Sequence, residues 1–80
     1  MTVTLCFFGE LKSLVKNDRE VFSLAQAMSL AELIRAHPAA SKLLAWEGHL
    51  LFAVNHEQVG ADCVVRDGDE VALMPPMTGG

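Results

Sequence analysis

The segment 75–80 reads PPMTGG and combines residue types that could present a carboxylate to another protein. Paired prolines cannot donate to a sheet ladder and favour an extended path. Two glycines without a Cβ could enter a channel too narrow for any other residue. We therefore predict a protruding tail whose reactive group is the terminal carboxylate of Gly80. The residues assigned to its delivery are Gly79, Thr78, Pro75 and Pro76.

The competing interpretation is that Gly79 and Gly80 are only loose terminal residues. Their context favours a function, because the tail directly follows a strand that the tight-turn sequence Asp67-Gly68-Asp69 opens. The strand must end at the prolines, so we expect the following residues to leave the body of the domain.

The other reactive residue types are not grouped for catalysis. His37, His49 and His56 stand apart and lack a metal-ligand spacing, so we expect them to be structural or solvent-facing. Cys6 and Cys63 form no C-x-x-C pattern and are expected to be reduced packing residues. The chain has no glycine-rich phosphate loop. We expect no metal, no bound cofactor and no enzymatic activity of the chain on its own.

Length and composition predict one small domain spanning residues 1–80. A hydrophobic fraction of 51% argues against disorder, and no apolar run approaches the roughly 20 residues that cross a bilayer. The N-terminus lacks the pattern of a secretory signal, so a cytoplasmic location is expected. A net charge of −4 opposes binding to nucleic acid or to anionic membranes.

Acidic residues are concentrated in the last third of the chain, with only Arg66 among them. They could steer a partner with a basic rim toward this surface, or they could form a solvated face that keeps a small domain soluble. Both interpretations stay open. The residues are Glu57, Asp62, Asp67, Asp69 and Glu70.

The elements that must position the tail begin with a strand from Thr2 to Phe8, whose side chains alternate between two faces. Glu10–Val15 is expected to be irregular or helical. A polar turn at 16–19 leads to a second strand, Glu20–Leu24, and the two strands should form a hairpin.

Ser29 and Glu32 form a capping box at the start of the main helix, which places Leu30, Leu33, Ile34 and His37 at helical spacing. Pro38 interrupts this helix. Ala39–Trp46 should add one or two helical turns with Leu43, Leu44 and Trp46 facing inward, and Gly48 should end them.

Three further strands are predicted: Leu50–Asn55, a short one around Gln58-Val59 after a turn at Asn55-His56, and Glu70–Met74. Gly60–Val65 is expected to be irregular. The order of elements predicts an α+β fold with one sheet of four to five strands and one main helix on one face. The first and last strands can be parallel neighbours because the chain between them supplies a crossover.

The alternation of side chains along the first and last strands predicts that Phe8 and Met74 both point outward, away from the core. If their strands are neighbours, the two side chains form an exposed apolar patch near the root of the tail, and such patches are typical of partner-binding surfaces. Burial under a loop is the alternative.

The chain resembles the MoaD family, the small sulfur-carrier subunit of molybdopterin synthase. The resemblance spans nearly the whole chain and rests on the order of elements and on four segments: LCFFG at 5–9, AVN at 53–55, DGDEVA at 67–72 and PPMTGG at 75–80. It implies the ubiquitin-like β-grasp fold.

The resemblance also implies a cycle of two protein encounters. An ATP-dependent activating enzyme would adenylate Gly80, and a sulfur donor would convert it to a thiocarboxylate. The tail would then enter the large catalytic subunit of the synthase, where the sulfur passes to a pterin precursor. The resemblance places partner contacts at Phe8, Met74, Gln58 and Met77, although the family differs from this chain at the last two.

Other functions remain open at the level of sequence. The chain could carry sulfur for thiamine synthesis, tRNA thiolation or cysteine synthesis, or it could be a ubiquitin-like modifier or interaction module. The cognate partner and the linkage formed at the C-terminus would distinguish these possibilities.

Overall fold

A computed structural model of the chain describes residues 1–37, 40, 43 and 49–75. Within these residues the chain forms seven strands and two helices. In chain order they are β1 (Thr2–Phe7), α1 (Leu11–Val15), β2 (Arg19–Ser23), β3 (Met28–Ser29), α2 (Leu30–Ala36), β4 (Leu51–Val54), β5 (Glu57–Val59), β6 (Val64–Val65) and β7 (Glu70–Met74).

In the described part of the chain, five strands form a mixed sheet in the order β2-β1-β7-β4-β5. β1 is antiparallel to β2 and parallel to β7. β4 is antiparallel to both β7 and β5. The α+β class, the hairpin of the first two long strands and the parallel pairing of the first and last strands are therefore confirmed.

The core lies on one face of this sheet. Alternate residues of β1 supply Val3, Leu5 and Phe7, each at most 1% exposed. Leu30 and Leu33 of α2 belong to the same hydrophobic cluster, as do buried residues of α1. Both described helices therefore pack on this face, and we call the opposite side of the sheet the open face.

The start of α2 is fixed by its own sequence. Ser29 Oγ accepts a hydrogen bond from the Glu32 amide at 3.2 Å, and Glu32 Oε1 accepts one from the Ser29 amide at 3.2 Å. This is the predicted capping box. The Leu30 amide donates to the Cys63 carbonyl at 3.0 Å, which ties the helix start to residues 60–63 between β5 and β6, here called the 60s loop.

The connection from β4 to β5 is a two-residue hairpin turn. Asn55 and His56 both have positive φ angles, of 52° and 71°, as such turns require to match the twist of the strands. The predicted turn and the short strand after it are confirmed.

The prediction that Gly60–Val65 is irregular is wrong at its end. Val64–Val65 forms β6 and pairs with β3 at Met28–Ser29. Strands of two residues are too short to show a sequence period, and their pairing depends on the 60s loop lying beside the start of α2.

The segment Ala39–Trp46, predicted to be helical, falls largely outside the described residues, as do Leu44, Trp46 and the predicted stop at Gly48. Leu43 is described and fully buried, as expected. Neither described helix has the length and apolar character needed to cross a membrane.

Candidate docking face and tail root

The open face carries an apolar row at the end of β7 where the chain leaves the sheet. The Phe8 amide donates to the Leu73 carbonyl at 3.1 Å, which extends the β1 ladder by one residue and places Phe8 beside Met74. Met74 pairs in turn with Leu51 of β4. Phe8 is 46% exposed, and the other two side chains are half-buried. We call Phe8, Met74 and Leu51 the apolar row.

The next row on the open face is built from smaller side chains. Strand pairing aligns Cys6 with Ala72, Ala72 with Ala53, and Ala53 with Gln58. The short alanine side chains project little from the middle of the face, and Gln58 is exposed on the edge strand β5. Gln58 therefore shares a face with the apolar row, and its role in docking stays a prediction.

The other end of β7 is charged. Glu70 Oε2 lies 3.2 Å from Arg19 Nη2, and Glu70 Oε1 lies 3.5 Å from His56 Nε2. We call these three residues the charged end. Met74 lies four residue steps along β7 from Glu70, so the charged end lies about 13 Å from the apolar row.

Cys6 lies between the two ends and is only 8% exposed. Burial raises the pKa of the Cys6 thiol above its usual value of 9.0, while the guanidinium of Arg19 lowers it and the carboxylates of Glu70 and Asp18 raise it. A thiol that keeps its proton is a poor nucleophile, so the environment of Cys6 suits a packing residue. Cys63 is also free and is half-buried.

Several acidic side chains of the last third have internal partners. Asp67 Oδ1 accepts the Thr2 amide at 2.8 Å, and Asp69 Oδ1 accepts from Asn55 Nδ2 at 3.0 Å. The Glu70 carboxylate pairs with Arg19, and the Glu70 backbone amide donates to Asn55 Oδ1 at 3.0 Å. These contacts give three of the acids a structural role, and steering of a basic partner stays a prediction.

The histidines take separate positions. His37 is buried, its Nδ1 accepts the Ala40 amide at 3.0 Å, and its Nε2 lies 3.3 Å from Glu20 Oε2. His49 is exposed, and His56 belongs to the charged end. Among the residues that the structure describes, no three His, Cys, Asp or Glu side chains meet where they could hold a metal ion.

The tail begins at the edge of the apolar row. Pro75 follows Met74, the last residue of β7, and is half-buried. The remaining predicted tail residues lie outside the described part of the chain. They are Pro76, Met77, Thr78, Gly79 and Gly80.

Two residues of the open face were missed from the sequence. Leu51 is the first residue of β4, and only its register against Met74 shows that it extends the apolar row. Arg19 was assigned to a turn, but it begins β2 and reaches Glu70 two strands away. A search for apolar residues at strand starts could have found Leu51, whereas the contact of Arg19 depends on the strand order.

Known protein families and relatives match nearly the whole length of the chain. The sequence model of the ThiS family matches residues 5–80. The molybdopterin synthase sulfur carrier subunit of Escherichia coli (strain K12) is 38% identical over 82 residues, which cover 98% of this chain and 99% of that protein.

Solved structures give the same fold. SAMP1 from Haloferax volcanii superposes with a TM-score of 0.76 at 24% identity, and all of both chains is covered. The complex of subunits 1 and 2 of the molybdopterin-converting factor from Helicobacter pylori 26695 contains a chain with a TM-score of 0.64 at 26% identity, again with full coverage of both chains. The ubiquitin-like β-grasp fold expected from the sequence is thereby confirmed.

Proposed function

The chain belongs to the ThiS family, and from this membership we propose that it is the sulfur carrier subunit of a molybdopterin synthase. The observation that carries the proposal is the 38% identity, over nearly the whole of both chains, to the Escherichia coli subunit of that name. The exposed apolar row at the root of the tail supports it, since a carrier must dock beside the point where its tail enters a partner.

The proposed chemistry takes place at the carboxylate of Gly80. One carboxylate oxygen attacks the α-phosphorus of ATP, and pyrophosphate leaves. Sulfide, or a sulfur donor of equivalent oxidation state, then attacks the acyl carbon of the adenylate. The bond between this carbon and the bridging oxygen breaks, and the oxygen leaves as part of AMP. The product is a C-terminal thiocarboxylate, with no net oxidation or reduction.

Two partners complete this cycle. An ATP-dependent activating enzyme supplies the nucleotide site, and a large catalytic subunit receives the charged tail and the pterin precursor. The carrier binds no cofactor of its own and catalyses neither step; it acts as a co-substrate in the cytoplasm.

The open face is the proposed docking surface for both partners. Phe8, Met74 and Leu51 offer apolar area next to the tail, and a buried aromatic anchor is typical of the centre of an interface. Gln58 and the charged end lie at its margin, where polar contacts give register and specificity more than affinity. Met77 adds a further contact on the tail itself.

The test uses the full chain, its cognate activating enzyme, ATP and sodium sulfide, with intact mass as the readout. We expect the mass to rise by the difference between one sulfur and one oxygen atom. Removing Gly80 should abolish this change and leave the thermal unfolding midpoint unaltered, because the core cluster of the described residues runs from Val3 to Leu73.

A chain with one alanine added after Gly80 is the matched control, since it keeps every native residue and moves the carboxylate outward by one. It should also fail to be charged. Charging of the chain that ends at Gly79 would overturn the assignment of Gly80. An isopeptide bond to lysines of other proteins would instead identify a modifier.

A further inference from the structure

The chain leaves β1 and β7 at two neighbouring residues, Gly9 and Pro75. Gly9 follows Phe8 and turns away from the sheet with a φ of +58°, while Pro75 follows Met74 on the neighbouring strand. A Cβ built on Gly9 would lie 3.0 Å from Pro75 Cγ and 3.4 Å from Pro75 Cδ. The proline ring therefore occupies the space that a side chain at residue 9 would need.

The hydrogen bonds of Phe8 show that the sheet does not hold Pro75 in place. In a parallel ladder, Phe8 donates to the carbonyl of residue 73 and accepts from the amide of residue 75. The first bond is present, at 3.1 Å, but Pro75 has no amide hydrogen to make the second. The Phe8 carbonyl instead accepts from the Leu11 amide at 3.1 Å, in the turn that starts α1.

The position of Pro75 is thus set by packing, because the sheet ladder ends one residue earlier. We propose that Gly9 is a positioning residue: its lack of a side chain seats the Pro75 ring and sets the direction in which the tail leaves the domain. The inference rests on the proposed function, since a carrier needs its tail aimed at a partner's active site.

The physical cost of a side chain at residue 9 follows from the distance. Carbon atoms pack favourably at about 3.5–4.0 Å, so a Cβ at 3.0 Å from Pro75 Cγ forces the ring to move. Residues 76–80 follow that ring in the chain, so the position of Pro75 sets where this segment starts.

The test is the Gly9→Asn variant, because asparagine tolerates a left-handed backbone better than other residues and adds a side chain. Gly68→Asn is the matched control. Gly68 also has a positive φ, of 87°, but a Cβ there would meet no atom within 4 Å. Both variants carry a similar backbone penalty, and only the first collides with Pro75.

We expect Gly9→Asn to lower kcat for C-terminal charging by on the order of tenfold at most, since the ring must give by a few tenths of an ångström and a misplacement of about 1 Å can cost about 100-fold. KM for the carrier should change little because the apolar row is intact. Gly68→Asn should stay within about twofold of the unaltered chain in both constants, which separates tail direction from general stability.

A rescue experiment tests whether the contact between residue 9 and Pro75 causes the loss of charging. A general loss of stability in Gly9→Asn would not be rescued by a change at Pro75. Pro75→Ala removes Cγ and Cδ, the two atoms that the new side chain would meet. The double variant Gly9→Asn/Pro75→Ala should therefore be charged at the rate of Pro75→Ala alone. An undiminished tenfold effect of Gly9→Asn in the Pro75→Ala background would show that the contact is not the cause.

A structural measurement keeps the inference separate from the proposed function. Residual dipolar couplings of the Met77 amide, referenced to those of β1 and β7, should change in Gly9→Asn and not in Gly68→Asn. Unchanged couplings at Met77 overturn the inference, even if the chain is charged. Failure of the unaltered chain to be charged overturns the proposed function, and the couplings still decide whether Gly9 directs the tail.

Discussion

Arg19 and Glu70 are joined across the intervening strand β1, with 3.2 Å between Nη2 and Oε2, because β2 and β7 flank β1 on its two sides. Arg19 Nη1 also lies 3.8 Å from the Sγ atom of Cys6 on β1. The open face thus has the Arg19–Glu70 ion pair beside the Cys6 thiol, and the apolar row lies at the end of β7 where the tail begins. This division separates residues that tune the face electrostatically from residues that offer contact area.

Replacing Glu70 by glutamine should lower the pKa of Cys6, because the Glu70 carboxylate is one of the charges that raise it. Alkylation of Cys6 in a Cys63→Ala background should then begin at lower pH. Unfolding stability should change by no more than about 1 kcal/mol, since the side chains of the Arg19–Glu70 pair are 63% and 36% exposed.

The pH profile of alkylation, followed by intact mass, checks this prediction. Glu57→Gln is the control, because Glu57 is not among the groups that shift Cys6. An identical alkylation profile for Glu70→Gln and the parent would show that Glu70 does not act on the thiol.

Cys6 should also make stability depend on pH in the alkaline range. Its pKa is higher in the folded chain than in the unfolded one, so the folded state binds more protons as pH rises past the unfolded value of 9.0. The stabilisation is present below that pH and is lost as pH rises toward the folded pKa.

Urea unfolding from about pH 7 to about pH 10 measures this effect. The difference in stability between the parent and Cys6→Ala should shrink as pH increases, because the alanine variant has no thiol to ionise. A constant difference across the range would contradict the prediction.

Asn55 should be more tolerant of glycine than of alanine. Its Oδ1 accepts the Glu70 amide at 3.0 Å, and its backbone has a φ of +52°, so either substitution loses the hydrogen bond. Alanine also incurs the left-handed backbone penalty, and we expect Asn55→Ala to be less stable than Asn55→Gly by about 1 kcal/mol. Chemical unfolding of the two variants decides this; equal stabilities would mean that backbone conformation is not limiting there.

The parts of the fold that depend on local chemistry could be predicted from the sequence. The alternation of Val3, Leu5 and Phe7 fixes which face of β1 is buried, and Ser29 with Glu32 fixes the start of α2. These signals are contained within a few neighbouring residues, so no knowledge of the tertiary structure is required.

The parallel pairing of β1 and β7 was predicted, but the other features that depend on strand order and register could not be. The β3–β6 pair joins residues more than thirty positions apart through strands of two residues each. The contact of Arg19 with Glu70 depends on the register of β2, β1 and β7. The alignment of Leu51 with Met74 depends on the register of β4 and β7. Sequence reasoning therefore placed Phe8 and Met74 on the open face but described neither the rest of the apolar row nor the charged end.

Phe8 and Phe7 are adjacent aromatic residues on opposite faces of the sheet. Their alanine variants should affect different properties, partner binding for Phe8 and stability for Phe7. Phe8 is 46% exposed, so Phe8→Ala should weaken binding to the large synthase subunit and to the activating enzyme by roughly 1–2 kcal/mol or more while leaving stability nearly unchanged. Phe7 is 1% exposed, so Phe7→Ala should cost about 3–5 kcal/mol of unfolding free energy.

Met74→Ala and Leu51→Ala extend the test along the apolar row, and both should weaken binding in the same direction as Phe8→Ala. Val64→Ala is the matched surface control: Val64 is 46% exposed, as Phe8 is, but lies in β6, which belongs to the two-stranded sheet and not to the sheet that carries the open face. Isothermal titration against each partner, with the unfolding midpoint of every variant, separates docking from folding. If Phe8→Ala binds both partners as tightly as Val64→Ala and the parent chain do, the apolar row is not the docking surface.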